Sequence, residues 1–177
     1  MNNLCCLTLI SLLTISCLVS PSTCDDPDPE TMALIADLCS HSKYPRFCSD
    51  VLRRRLVSPK TDFSGLTKLT FVISLDYAKA IESFIGQLAA EIVKNQEKQI
   101  YLKCQRSYGG IVSLIEGAKV AFDKADYGPM VAQLESCEGH VQFCEDTIGQ
   151  VISDQDDKMR VLLSMGVYEG QKYLGIK

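Results

Sequence analysis

Two stretches decide the fold: residues 101–122, YLKCQRSYGGIVSLIEGAKVAF, and residues 130–151, MVAQLESCEGHVQFCEDTIGQV. In the first, Tyr101, Cys104, Tyr108, Ile111, Ile115, Ala118 and Phe122 recur at steps of three and four. In the second, Met130, Leu134, Cys137, Val141, Cys144, Ile148 and Val151 do the same. Such alternation places all members on one stripe of an α-helix. Only a short turn containing Tyr127-Gly128-Pro129 separates the two patterns, so the helices must run antiparallel.

The pattern extends in both directions. Toward the C-terminus, Met159, Leu163, Gly166 and Tyr173 predict a last helix, opened by the acidic stretch from Asp154 to Asp157. Toward the N-terminus, Leu66, Leu69, Ile73, Ala80, Phe84, Leu88 and Ile92 predict another long helix. Ser58-Pro59 and Thr61-Asp62 before it supply breaker and cap chemistry. Two short helices precede that break. Thr31 to Ser40 carries Met32, Ile35 and Leu38 or Cys39 on one side. The second opens at Tyr44-Pro45 and runs through Phe47, Val51 and Leu52 toward Leu56, with proline at the first helical position. No segment alternates with period two long enough for a strand. The expected architecture is all-α: an up-and-down four-helix bundle preceded by a short helical hairpin.

The first residues read differently. Leu4 to Val19 is an apolar run broken only by hydroxyls and cysteines, and Pro21-Ser22-Thr23-Cys24 precedes Asp25-Asp26. This is the order of a secretory signal peptide, and the run is short for a span of ~20 residues. We expect a leader at 1–24, removed near Cys24, and one domain at 25–177. The formal charge of −4 argues against a nucleic-acid partner, and no second run suits a membrane. Of nine cysteines, five lie beyond the leader: Cys39, Cys48, Cys104, Cys137 and Cys144. A secreted chain makes disulfides the default, and an odd number leaves one thiol over. A bridge from Cys39 to Cys48 would close the short hairpin. Cys104 lies on the core stripe of one helix and Cys137 and Cys144 on that of the next, so the residues alone leave its partner open. There is no Cys-x-x-Cys pair, which removes support for a zinc site.

Catalytic motifs are missing from the sequence. The two histidines, His41 and His140, form no His-Glu-x-x-His, and no Gly-x-Ser-x-Gly or phosphate-binding glycine loop is present. Asp154, Asp156 and Asp157 lack calcium-loop spacing. Arg53-Arg54-Arg55 reads as helix-terminal charge or as a patch for an anionic polymer. Ser107-Tyr108-Gly109-Gly110 reads as a flexible point in a helix. The expectation is a binding protein without cofactor or metal, with a small-ligand carrier as the remote alternative.

The cysteine framework adds more. Cys39-x8-Cys48 with Tyr44-Pro45 between, a long gap to Cys104, and Cys144-Glu145-Asp146 resemble the plant invertase and pectin methylesterase inhibitor family. Thr61-Asp62-Phe63-Ser64-Gly65-Leu66 resembles its entry to the first long helix, and Asp126-Tyr127 resembles its turn before the last cysteine-bearing helix. The resemblance runs from about Ile35 to the C-terminus. It implies disulfides Cys39–Cys48 and Cys104–Cys144, a free Cys137, and a secreted, monomeric inhibitor of a cell-wall enzyme in the apoplast. Members that inhibit invertase resemble one another in a Pro-Lys-Phe where this chain has Tyr127-Gly128-Pro129. The Asp-Tyr start is closer to the pectin methylesterase inhibitors, which usually place Thr where this chain has Phe143. Pectin methylesterase is therefore the expected target, and acid invertase of the cell wall or vacuole the alternative.

Inhibition of that kind needs an anchored surface and no catalytic residue. The interface residues expected on the third and fourth helices are Arg106, Asp126, Tyr127, Phe143 and Asp146. Phe143 falls about 100° from the core-facing Cys144, so it is either an anchor for a partner or packing for the N-terminal hairpin. Tyr127 is either a turn-packing ring or a contact. Asp126 and Asp146 would make binding depend on pH near the carboxylate range, ~4.

Overall fold

The computed structural model describes residues 27–176, so the expected leader and its cut lie outside the described residues. The first helix, α1, spans Pro29–Ser40. It starts before Thr31 because Asp28 caps it, Oδ1 accepting from the amides of Glu30 (2.8 Å) and Thr31 (2.9 Å), and because Pro29 suits the first turn. Helix α2 spans Pro45–Arg55, and Cys48 on it is bridged to Cys39 on α1 with Cα atoms 5.5 Å apart. Helix α3, Phe63–Glu91, is capped by Asp62, which accepts from the Gly65 amide at 2.7 Å. Helix α4 spans Asn95–Asp123 and α5 spans Tyr127–Tyr173.

Helix α5 is the main departure from the expected element order. Its backbone is continuous except at Ile148 (φ −134°, ψ 19°), where it folds back on itself. Gly149 follows the bend, and the Thr147 hydroxyl reaches the Phe143 carbonyl at 2.8 Å, both recognised causes of kinking. The first arm (residues 127–147) and the second (149–173) run antiparallel. Gly166 lies against Leu134, and Gly170 against Val131 and Met130. A β-carbon at Gly170 would meet Val131 Cγ2 at 2.5 Å, so glycine is what lets the arms approach. With α3 and α4, the two arms make the four-helix bundle. Because the reversal is at Ile148, Asp154 to Asp157 lie inside the second arm rather than at its start. The same bend exposes Val151 and buries Ile152 in its place.

The α4 stripe is buried from Cys104 to Phe122, with Tyr101 half-buried. The α3 stripe is rotated from the expected one. Ala80 and Phe84 face solvent, while Leu66, Thr67, Thr70, Ile73, Ser74, Ile81 and Ile85 face the core. The reason is polar residues within that face. Thr67 donates to the Phe63 carbonyl (2.9 Å) and Thr70 to that of Leu66 (3.1 Å), so their hydroxyls are satisfied locally and tolerate burial. Gly110 of α4 is no hinge either: it sits against the His140 ring, where a β-carbon would be 2.8 Å from Cε1.

Ala125, between α4 and α5, adopts φ 58°. The left-handed region costs an L-residue about 1–2 kcal/mol, while glycine gives back about 0.5–1 kcal/mol as entropy. Ala125→Gly is expected to stabilise the protein by up to about 1 kcal/mol, read as a melting point raised by roughly 2–4 °C.

Cys104 on α4 is bridged to Cys144 on α5, Cα atoms 5.1 Å apart. Cys137 is a buried free thiol whose Sγ donates to the Gln133 carbonyl at 3.5 Å, and burial pushes its pKa up to about 12. We expect no labelling of Cys137 by iodoacetamide in the native protein and full labelling once it is unfolded. Rapid native labelling would contradict the burial. Among the described residues, no helix is long and apolar enough to cross a membrane.

Candidate functional site

The bridge at Cys104–Cys144 and the contact of Ser107 Oγ with His140 Nδ1 (3.0 Å) fix how α4 lies on the first arm of α5. Helical geometry then carries Arg106 and Phe143 to the outer side of that pair. Both are exposed, and Phe143 keeps 38% of its surface in water. The N-terminal hairpin docks on α3, through Arg55 with Asp76 and Phe47 against Tyr77, and on the second arm. There Tyr44 Oη donates to Asp157 (2.9 Å), Lys172 to Asp37 (2.5 Å), and His41 stacks on Tyr168 with ring centroids 4.2 Å apart.

Asp146 is exposed and held by a relay that the sequence pattern does not reveal. Arg160, on the second arm, donates to Glu138 (2.8 Å), Glu145 (2.7 Å) and the Gln142 side-chain oxygen (3.2 Å). Gln142 in turn donates from Nε2 to Asp146 Oδ1 at 2.8 Å. Gln142 and Asp146 are one helical turn apart, which is the only sequence trace of this positioning.

The other two residues lie elsewhere. Asp126 stands at the N-cap position of α5 without a side-chain capping bond and is exposed, and Tyr127 follows it. At ~1.5 Å per residue, Tyr127 is about 24 Å along the helix from Phe143. Its ring stacks on Tyr173 (4.4 Å) and neighbours Phe122 (6.2 Å), within an aromatic cluster that closes this end of the bundle. The ring of Tyr127 is thus engaged in packing at that end. Arg106, Phe143 and Asp146 are each exposed and lie within two positions in sequence of a bridged cysteine.

The acidic stretch of the second arm separates into three roles. Asp154 takes Lys158 (2.5 Å), and Asp157 takes Lys43 (3.2 Å) together with Tyr44. The Tyr44 and Lys43 bonds hold the Asp157 carboxyl below its ordinary range. Asp156 is fully buried and accepts from Tyr108 Oη at 2.5 Å. Burial pushes its pKa up to about 6, against the opposing pull of the Tyr108 bond and Arg160. It is a core carboxyl and not a solvated helix-terminal charge. Arg55 reaches Asp76 on α3 as an ion pair. Among the described residues, no group of His, Cys, Asp or Glu could hold a metal ion.

The family model described as plant invertase/pectin methylesterase inhibitor matches residues 33–167. This chain belongs to that family. A curated relative, the "Pectinesterase inhibitor" of Actinidia deliciosa, is 22% identical over 138 residues, covering 78% of this chain and 75% of its own. A mutant form of a pectin methylesterase inhibitor from Arabidopsis has a similar fold, with a TM-score of 0.67 at 15% identity, covering 77% of this chain and 95% of the other. A second crystal structure of a pectin methylesterase inhibitor from Arabidopsis thaliana gives 0.58 at 15% identity, over 78% and 95% of the two chains. Both disulfides, the hairpin apart from the first turn of α1, and the bundle apart from the last six residues of α5 fall within the matched span. The Tyr127-Gly128-Pro129 turn does too, with its tyrosine engaged in the aromatic cluster and Gly128 and Pro129 exposed.

Proposed function

We propose that this protein is a secreted, monomeric inhibitor of pectin methylesterase. It acts by covering the enzyme's substrate cleft in a one-to-one complex, without chemistry of its own. Its contact surface is the outer face of α4 and the first arm of α5, with Phe143 as the anchor and Arg106 and Asp146 at its rim. The observation that carries this reading is an exposed aromatic next to a disulfide that rigidifies both supporting helices. A rigid anchor loses little entropy on binding. The name of the kiwifruit-genus relative supports the target, and the two disulfides suit an oxidising extracellular compartment. Residues 1–24 supply the secretory leader in this reading.

The test is a paired titration of the oxidised protein against a plant pectin methylesterase and against cell-wall and vacuolar acid invertases. Stoichiometric loss of esterase activity alone is the expected result. Loss of invertase activity alone would replace the target, and loss of neither would sink the assignment. Phe143→Ala is expected to weaken esterase inhibition by about 30-fold, the effect of a hot spot worth about 2 kcal/mol. Tyr127→Ala is expected instead to lower the melting temperature, leaving the affinity of the folded fraction unchanged.

A further inference from the structure

Positive charge is unevenly placed in this acidic chain. Helix α2 carries four arginines against one aspartate, whereas the whole sequence has a formal charge of −4. Arg55 is taken up by Asp76. Arg46, Arg53 and Arg54 are exposed, and helical geometry puts them on the solvent side, opposite the buried Cys48 and Leu52. Among the described residues, no carboxylate pairs with Arg46 or Arg54.

Arg46 also lines a groove of about 620 Å³ between the α1–α2 turn and the second arm of α5. Tyr44 and Phe47 form its aromatic wall. The acids there are already neutralised, Asp157 by Lys43 and Asp154 by Lys158. Lys43 lies over the Tyr44 ring (5.1 Å) and Lys158 over the Phe47 ring (5.9 Å), so the groove presents two cation-flanked rings beside a guanidinium that no carboxylate among the described residues pairs, and the arginine face of α2 continues from it. Arg46 and Arg54 lie about 12 Å apart along the helix. That spacing suits an extended polymer with repeated charges better than a single small anion.

We propose that this groove and the arginine face of α2 bind a carboxylated polysaccharide, a de-esterified polyuronate, at a site separate from the enzyme-inhibiting face. Sugar C–H faces would pack on Tyr44 and Phe47, and carboxylates would meet Arg46 and Arg54 through the planar guanidinium fork. The choice of polyanion rests on the pectin methylesterase reading above, since that enzyme converts each methyl ester of its polymer into a carboxylate. The site would hold the inhibitor where its target has acted.

The experiment is calorimetric titration of the oxidised protein with de-esterified polygalacturonate, its fully methyl-esterified counterpart, polyglutamate and anionic phospholipid vesicles. Binding to the first, weakening with salt and at least tenfold weaker for the esterified chain, is expected. The R46Q/R54Q variant should lose about tenfold, the sum of two exposed ion pairs. Tyr44→Ala should weaken binding as well, and K94Q/K98Q should bind as the wild type does. Polyglutamate or vesicles binding as tightly as polygalacturonate would overturn the saccharide assignment. No binding by a protein that still inhibits the esterase would overturn this site alone. Intact esterase inhibition by R46Q/R54Q is expected, and its loss would overturn the separation of the two surfaces.

Discussion

Glu169→Gln is expected to stabilise the protein by a few kcal/mol at pH 8 and above, and to change little at pH 4. Glu169 is completely buried on the second arm of α5, against Thr70 of α3. Thr70 Oγ1 is its hydrogen-bond partner at 3.1 Å, its other oxygen has none, and no cation is paired with it among the described residues. Burial raises its pKa from 4.5 to about 8, with the Thr70 bond opposing. Below pH 4.5 the group is protonated in both folded and unfolded chains and contributes nothing to the pH dependence. Between 4.5 and about 8 only the unfolded chain is ionised. Stability therefore falls as pH rises, by about 1.4 kcal/mol per pH unit. Asp156 adds the same sign between 3.8 and about 6. Its neighbours are Tyr108 of α4, Tyr77 of α3, and Arg160, Glu145 and Asp157 of α5. At the acid end the sign reverses. Asp28, Asp37 and Asp157 have lowered pKa values because of their hydrogen bonds, and the stability they contribute is lost as pH drops below the ordinary 3.8. The wild-type melting temperature should thus peak in mild acid and decline toward neutrality, and Glu169→Gln should flatten the decline. A wild-type melting temperature that rises from pH 5 to pH 8 would refute this account. Glu169→Ala would not test it, because it removes volume as well as the charge.

Removing the Cys104–Cys144 bridge by a double change to alanine is expected to cost about 4 kcal/mol. The bridge closes a loop of 40 residues, and the chain-entropy relation gives that figure for such a loop. The melting temperature should fall by roughly 8–16 °C. The Cys39–Cys48 bridge spans a separation of only 9, for which the same relation gives about 2.6 kcal/mol. Its loss should show first as proteolysis of the hairpin, since α1 and α2 have little core of their own. The two variants also separate roles. Without Cys104–Cys144, esterase inhibition should weaken beyond the loss of folded protein, because Phe143 and Arg106 sit beside that bridge. Chemical denaturation of both variants, with inhibition measured on the folded fraction, distinguishes stability from anchoring.

The helices were legible because the stripes of α4 and of the first arm of α5 are almost purely apolar. Steps of three and four from Cys104 to Phe122 and from Met130 to Ile148 leave no other geometry that buries them. On α3 the same reading failed by a rotation of the helix. Thr67, Thr70 and Ser74 sit in the core and Phe84 outside it, and hydrophobicity alone cannot anticipate hydroxyls satisfied by carbonyls one turn back. Asp156 misled for a related reason: a carboxyl looks solvated until its partner across the bundle, Tyr108, is known.

The sequence by itself determined the all-helical class, the antiparallel order and the family resemblance, because periodicity and cysteine spacing are local properties of the chain. Only the tertiary structure decided that α5 reverses at Ile148, that Tyr127 stacks on Tyr173, and that Phe143 keeps part of its ring in water. These are questions of which surfaces meet. Their answers depend on packing between segments far apart in sequence, where glycines such as Gly166 and Gly170 permit close approach and buried carboxyls find their hydroxyls.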